Sequence, residues 1–147
     1  MRTLAIDLGT RRVGLALSDE GGRFATPLDV IEVSSPEHAV NQIIPVIKRE
    51  GVQRLVVGVP LNMDGTIGPA ARDAAKWGRE LSTRCNIPLV LLDERLSSFD
   101  AEQQLIERKR GGEKITRQAK KRRLDAIAAA GFLQAFLDGK IQPLTGL

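Results

Sequence analysis

The sequence predicts an α/β fold built on a mixed five-stranded sheet, in which three antiparallel strands are followed by parallel strands and helices flank the sheet. Short apolar runs separated by tight turns fill the beginning of the chain, a pattern typical of antiparallel hairpins. Apolar runs then alternate with helical patterns, which is typical of parallel strands joined by helices. The length of 147 residues suits one domain spanning 1–147.

The antiparallel strands are predicted from short apolar segments and the turns between them. Apolar and polar side chains alternate over residues 3–8, and a second apolar segment at 13–18 follows after a tight turn. Residues 25–33 predict the third strand. Pro27 favours an edge position for this strand, because proline cannot donate a hydrogen bond to a neighbouring strand.

The parallel part of the sheet is predicted from the alternation that follows. A helix is expected to begin at the capping residue Ser35 and to end at Gly51. The continuous apolar run at 55–59 predicts a strand that is buried on both faces. The next helix and the last strand are predicted at 69–84 and 88–92.

Two further helices are predicted at 98–108 and 117–137, and Gly139 ends the second of them. The ribonuclease-H-like architecture has this order of elements. We therefore predict a ribonuclease-H-like sheet covered by helices.

The composition is that of an ordinary globular protein, with 42% hydrophobic and 27% charged residues. No apolar run approaches the ~20 residues that cross a bilayer, and the N-terminus lacks the pattern of a signal peptide. Cys85 is the single cysteine and cannot form an internal disulfide, which favours a reducing cytoplasm. We expect a cytoplasmic location and no membrane partner.

Positive charge is concentrated in one segment of the chain. Between Arg108 and Arg123 lie nine basic residues and one acidic residue, Glu113. Such a segment can bind polyanions by releasing their counterions, although a solvated loop that keeps the protein soluble is the simpler alternative. Aromatic residues make up only 3% of the chain, which disfavours binding by stacking of bases.

Asp7 is the first candidate for a functional site, because it lies near the end of an apolar strand. A buried carboxylate is costly unless a cationic group compensates it. Asp7 is therefore expected to have a metal ion, a basic side chain or a phosphate-bound cation as its partner.

Asp125 is the second candidate. At 100° per residue it shares a face of the final helix with Ala129 and Phe132, at the edge of the apolar stripe. A helix built only for packing would place an apolar residue there. The structural alternative is an ion pair with Arg95, Arg122 or another nearby basic residue.

The third candidate is the pair Asp93 and Glu94 at the end of the last strand. Adjacent strand residues face opposite sides, so one of the two is expected to point into the site and the other to cap Arg95, the next helix or the surface. Ligands of α/β sheets gather at the carboxyl ends of the strands, where Asp7 also lies. A site built from clustered carboxylates, without a cysteine or a second histidine among its ligands, selects Mg²⁺ or Mn²⁺.

Four ordered motifs carry a family resemblance: IDLGTRRVGLALSD at 6–19, GVPLNMDG at 58–65, DERLSS at 93–98 and LDAIAAA at 124–130. With these motifs the chain resembles the YqgF or RuvX-type family of pre-16S rRNA nucleases, once described as Holliday-junction-resolvase-like. The resemblance implies a ribonuclease-H-like fold, a bacterial cytoplasmic setting and a metal-dependent nuclease that matures the 5′ end of precursor 16S rRNA.

Carried over by position, the resemblance implies a catalytic and metal-binding set and a phosphate-binding set. The first consists of Asp7, Glu94 (or Asp93) and Asp125. The second places Arg11, Arg12 and Arg95 near the scissile phosphate. Helix geometry adds Lys121 and Arg122, which flank Asp125 and could hold a phosphate over the metal. The expected partner is structured RNA, with the ribosomal small-subunit precursor and branched DNA as narrower options.

One departure from the true resolvases matters. Those enzymes carry a second carboxylate on the strand after the first helix, where this chain has Gly58. Because of this departure, junction-cleaving activity cannot be carried over from the resolvases. Three alternatives to the RNA nuclease remain open. They are a resolvase of branched DNA, a nucleotide-binding module similar to the actin, Hsp70 and sugar-kinase superfamily, and a non-catalytic nucleic-acid-binding protein.

Overall fold

The computed structural model describes residues 1–96 and 117–147. Five strands form one sheet: β1 (Thr3–Leu8), β2 (Arg12–Ser18), β3 (Ala25–Glu32), β4 (Arg54–Val59) and β5 (Leu89–Asp93). Three α-helices and a 3₁₀ turn accompany them: α1 (Pro36–Glu50), α2 (Pro69–Cys85), the turn Glu94–Leu96 and α3 (Arg117–Leu137). The helix predicted at 98–108 and most of the basic segment lie outside the described residues.

The order of the strands across the sheet is β3-β2-β1-β4-β5. β1 pairs antiparallel with β2, and β2 pairs antiparallel with β3. β1 pairs parallel with β4, which pairs parallel with β5. The predicted mixed sheet is confirmed, and the elements that the structure describes begin and end within one residue of the prediction. Pro27 lies on β3, which is the edge strand, as predicted.

Local signals fix the ends of α1. The Ser35 hydroxyl accepts a hydrogen bond from the backbone N–H of His38 at 3.0 Å, which satisfies one of the free donors of the first turn. Gly51 ends the helix with φ of 63°, a left-handed conformation that glycine adopts without steric cost. Both ends match the sequence prediction.

The two faces of the sheet are covered by different helices. Leu4 and Ile6 belong to the core beneath α1 and α2, whereas Ala5 packs with Phe132 and Leu133 of α3. Because side chains alternate along a strand, Asp7 lies on the α3 face, two residues beyond Ala5. The alternation of β1 thus places the first candidate carboxylate opposite the final helix.

The last residues of the chain return to the sheet. The backbone N–H of Leu144 donates to the carbonyl of Leu91 on β5 at 2.8 Å, and Leu144 and Leu147 pack against the core beneath α1 and α2. Within residues 1–96 and 117–147, no helix has the length and apolar character that a membrane span requires.

Candidate active site

Asp7 and Glu94 form the centre of the site at the carboxyl end of the sheet. The Asp7 and Glu94 carboxyl groups are hydrogen-bonded to each other, and the bond acts to raise the pKa of Asp7 and to lower that of Glu94. These opposite effects make Asp7 the donor of a proton that lies between the two groups. Glu94 is the first residue after β5, and β4 separates β5 from β1. The structure therefore brings together carboxylates from two strands that are not neighbours.

Gly58 on β4 allows this approach. A Cβ atom at position 58 would lie 3.1 Å from the Cβ of Glu94 and 2.8 Å from the Phe132 ring. Any side chain there would meet both groups. In the true resolvases this position carries an acidic residue. In this chain Gly58 leaves the space empty, and Glu94 approaches Asp7 through that space.

The site opposes ionisation of its carboxyl groups. Burial, followed by the negative charge and hydrogen bond of Glu94 and the charge of Asp125, raises the pKa of Asp7 from 3.8 to about 8. Burial also raises the pKa of Glu94, while the hydrogen bond from Asp7 partly offsets that effect. The pair therefore retains a proton at neutral pH unless a cation replaces it.

This shared proton predicts a dependence of stability on pH. Between pH 3.8 and about 8, Asp7 keeps its proton in the folded protein but has released it in the unfolded chain. The contribution of Asp7 to the free energy of unfolding therefore falls as the pH rises through this window. Replacing Asp7 with Asn is expected to remove this loss and to make the variant more stable than the wild type at the upper end of the window. Urea denaturation of both metal-free proteins across the window measures the difference. Parallel pH curves for the two proteins would contradict the prediction.

Asp125 approaches Asp7 because α3 crosses β2 at a glycine. Gly14 is the register partner of Asp7 on β2. A Cβ atom at position 14 would overlap the backbone carbonyl of Asp125 and lie 2.8 Å from the backbone nitrogen of Ala126. The glycine lets the helix backbone come close enough for the charge of Asp125 to reach Asp7.

Arg12 is the partner of Asp125. Its Nε donates to Asp125 Oδ2 at 2.9 Å, and the two side chains are 35% and 30% exposed. The ion pair considered as the structural alternative for Asp125 is therefore present, with Arg12 in place of Arg95 or Arg122. Gly9 closes the turn that carries Arg12, since its N–H donates to the Arg12 carbonyl at 2.9 Å.

Asp93 points away from the shared proton and binds Arg95. The Arg95 guanidinium meets the Asp93 carboxylate through Nε at 3.0 Å and Nη2 at 2.7 Å. The carboxyl pKa of Asp93 falls below its ordinary value, chiefly because of this hydrogen bonding. Of the two adjacent acids, Glu94 lies beside Asp7. Asp93 caps Arg95, which is one of the roles expected for the acid that does not point into the site.

Arg95 also holds the loop that follows β4. Its Nη1 donates to the carbonyl of Asn62 at 2.9 Å and to that of Met63 at 3.2 Å. The loop closes on itself where the N–H of Gly65 donates to the Asn62 carbonyl at 2.8 Å. Most donors of the guanidinium are thereby engaged within the protein, and its role at a phosphate stays a prediction.

Replacing Arg95 with Lys is expected to loosen this loop, because an ammonium group cannot reproduce the forked contact with Asp93 and two carbonyls. Hydrogen exchange at the Gly65 amide should become faster, while exchange in β1 stays unchanged. Arg49→Lys is the matched control, since Arg49 pairs with its neighbour Glu50 on the surface. Unchanged exchange at Gly65 would contradict the role assigned to Arg95.

The remaining predicted residues are placed as follows. Arg11 is exposed on the β1–β2 turn, next to Arg12. Lys121 and Arg122 belong to the first half of α3, and their side chains lie outside the described part of the chain. Among residues 1–96 and 117–147, no three acidic, histidine or cysteine side chains are arranged as a ready metal site. The Asp125 carboxylate pairs with Arg12 in this arrangement.

Comparison with known families identifies the chain. A family model described as "RuvX: Holliday junction resolvase" matches residues 1–139. The chain belongs to the RuvX family.

Relatives of this RuvX protein cover almost its whole length. A "Putative pre-16S rRNA nuclease" of Geobacillus kaustophilus is 38% identical over 142 residues, which is 95% of this chain and 99% of the relative. Proteins with the same name from Bacillus subtilis and Anaeromyxobacter are 37% and 41% identical, and each match covers 98% of the relative. The family resemblance of the four motifs is confirmed.

Solved structures confirm the ribonuclease-H-like fold. RuvC of Thermus thermophilus in complex with a Holliday junction superposes with a TM-score of 0.57 at 18% identity, covering 98% of this chain and 99% of RuvC. The Fowlpox virus resolvase in complex with Holliday junction DNA gives the same TM-score at 10% identity, with 95% and 98% covered. At such identities these likenesses concern the fold.

The sequence of this RuvX chain points to the acids but not to the features that allow them to meet. Gly14 and Gly58 both face α3 and sit beside β1, one on each neighbouring strand. A signal was present, since a glycine inside an apolar strand often marks a close approach of another backbone or side chain. An ion pair of Asp125 with a nearby basic residue was among the expectations, but Arg12 was not named as that residue.

Proposed function

We propose that this protein is a divalent-metal-dependent endonuclease acting on structured RNA, with the 5′ end of precursor 16S rRNA as its substrate. Asp7, Glu94 and Asp125 are the catalytic carboxylates of this proposal. The observation that carries it is the contact between the Asp7 and Glu94 carboxyl groups within reach of the Asp125 charge. The names of the RuvX-family relatives support the choice of substrate.

The donor set fits a hard divalent cation. Carboxylate oxygens are the ligands that Mg²⁺ and Mn²⁺ prefer, and the shared proton marks a place where positive charge relieves the repulsion between Asp7 and Glu94. When bound there, Mg²⁺ or Mn²⁺ supplies Lewis-acid stabilisation of the charge that develops on the phosphate. Asp7 and Glu94 would hold the ion, and Asp125 would join them on release from Arg12.

Basic residues around the carboxylates suit the nucleic-acid backbone. Arg11 is exposed on the turn that follows Asp7, and Arg12 stands beside Asp125. In the proposal both neutralise phosphate oxygens, aided by Arg95, Lys121 and Arg122. Backbone contacts of this kind position a strand without reading its sequence, which suits recognition of a folded precursor.

Cleavage of a labelled precursor 16S 5′-leader RNA tests the proposal. The RNA is incubated with protein and Mn²⁺, Mg²⁺ or EDTA, beside a four-way DNA junction of matched length. Metal-dependent cutting of the RNA supports the proposal. Failure to cut either substrate, with assembled precursor particles also left intact, would overturn it.

Resolution of branched DNA is the second candidate function, and the description of the RuvX family model favours it. Resolvases cut paired strands as symmetric dimers. Preferred cutting of the junction together with a dimer in solution would select this candidate. A strictly monomeric protein that cuts only the RNA would exclude it.

The proposed substrate also implies a partner and a location for the protein. A precursor of the small ribosomal subunit would be the partner, and the cytoplasm would be the location. Co-sedimentation of the protein with precursor particles under conditions that retain 16S leader RNA would measure the first of these.

A further inference from the structure

A cleft of about 430 Å³ lies at the same end of β1 as the candidate active site, on the side of the sheet that α1 and α2 cover. It begins at Leu8, the residue after Asp7, and extends to the first turns of α2. Its volume falls within the range of about 300–1,000 Å³ that is usual for pockets binding small ligands.

The lining of the cleft is apolar with a few polar groups. Pro36, Pro60 and Trp77 contribute apolar surface, and Thr10 with two serines contributes hydroxyl groups. Asp73 is the one charged side chain among the described residues that line it. A cleft with one carboxylate and no cation does not suit a phosphate, but it suits a flat neutral ring that carries N–H donors.

A second cleft of about 570 Å³ adjoins the first, and its charged lining is positive on balance. Its charged residues are Arg11, Arg12 and Glu32, and the two clefts share Thr10 and Ser34. A nucleotide has the same division, with an anionic phosphate and a neutral base. The basic cleft matches the phosphate, and the cleft with Asp73 matches the base.

We propose that the cleft between the β1–β2 turn and α2 binds a guanine base of the strand that is cut, with Asp73 reading its Watson–Crick edge. Guanine presents two N–H donors side by side on that edge, which a carboxylate accepts together. Adenine and cytosine place a ring nitrogen that accepts hydrogen bonds beside their amino group, and uracil has a carbonyl on each side of its N–H. Each of these three bases would therefore bring an acceptor against a carboxylate oxygen, which repels it. The identity of the strand rests on the proposed function, but the binding of guanine does not require cleavage.

Trp77 makes the test direct. It is the single tryptophan of a chain without tyrosine, and it is 5% exposed in the wall of the cleft, with its Nε1 donating to the Pro36 carbonyl at 3.0 Å. Quenching of its fluorescence by GMP, AMP, CMP and UMP, measured without metal and corrected against free tryptophan, reports occupation of the cleft. We expect GMP to bind about tenfold more tightly than the other three, the discrimination typical of a two-point hydrogen bond to a base.

Two variants and a control complete the experiment. Asp73→Asn is expected to weaken GMP binding about tenfold and to remove the preference among bases, since the amide offers one acceptor in place of two. Ala70→Leu places a larger side chain in the lining at an exposed position and is expected to block all quenching. Asp29→Asn changes an exposed carboxylate on β3 and should bind GMP as the wild type does.

The proposal is overturned if the four nucleotides quench equally, if none quenches up to millimolar concentration, or if Asp73→Asn binds GMP unchanged while its circular dichroism shows a folded protein. Asp7→Asn separates this inference from the nuclease proposal, because it should lose cleavage and retain GMP quenching. RNA cleavage without any preference for a guanine near the cut would also count against the role of Asp73.

Discussion

Cleavage of precursor RNA by the Asp7→Asn variant is expected to fall by about a hundredfold to a thousandfold, the scale seen when one electrostatic group is removed from an active site. Asparagine keeps the shape of the side chain but offers a neutral oxygen, so Asp7 and Glu94 no longer form an anionic pair for a cation. RNA binding should stay within about threefold of the wild type, because backbone contacts come from basic residues elsewhere. Single-turnover cleavage and filter binding measure the two quantities.

Asp29→Asn is the control for Asp7→Asn, since it neutralises an exposed carboxylate on the edge strand. It is expected to cleave as the wild type does. Addition of Mn²⁺ should raise the melting temperature of the wild type and of this control, but not that of Asp7→Asn. Undiminished cleavage by Asp7→Asn would remove the carboxylate pair from the mechanism.

The Gly14→Ala variant is expected to lose about 3 kcal/mol of folding free energy, the upper part of the range for overpacking a core. A methyl group at position 14 overlaps the Asp125 backbone carbonyl, so α3 must move away from β2. That movement also carries Asp125 away from Asp7. Chemical denaturation measures the stability, and we expect cleavage to fall with it.

Gly21→Ala is the matched control for Gly14→Ala. The nearest atom to a Cβ atom at position 21 is an Asp19 carboxylate oxygen at 3.5 Å, an ordinary contact. Its stability should therefore stay within about 0.5 kcal/mol of the wild type, as is usual for surface changes. Equal stabilities of the two glycine variants would show that the close approach of α3 does not constrain the fold.

The sequence predicted the sheet well because its signals are local. Alternation, capping residues and glycine turns each act over a few residues, and the described elements follow them closely. The alternation of β1 also predicted a carboxylate at the end of a buried strand. Asp7 could be singled out for this reason without any tertiary information.

The choice between Asp93 and Glu94 could not be made from the sequence. It depends on which face each residue of β5 presents, and both Leu91 and Leu92 are apolar and buried. The structure separates them, since Leu91 belongs to the core under α1 and α2 and Leu92 to the core under α3. Only the tertiary packing of β5 against two helices distinguishes the adjacent acids.

The ion pair between Arg12 and Asp125 was hidden for a different reason. The two residues are 113 positions apart, and their contact depends on where α3 crosses the sheet. That crossing is set by the absence of a side chain at Gly14. A sequence pattern shows the glycine but not the helix that lies on it.

The two borders of the sheet bear on how the protein behaves when it is concentrated. An exposed strand edge offers free backbone groups to another molecule and promotes aggregation. On one border, Pro27 lacks a donor and Asp29 adds an exposed charge to β3. On the other border, Leu144 donates to Leu91 and the end of the chain lies along β5. Both borders therefore resist strand addition, and molecules can reach a high concentration without joining sheet to sheet.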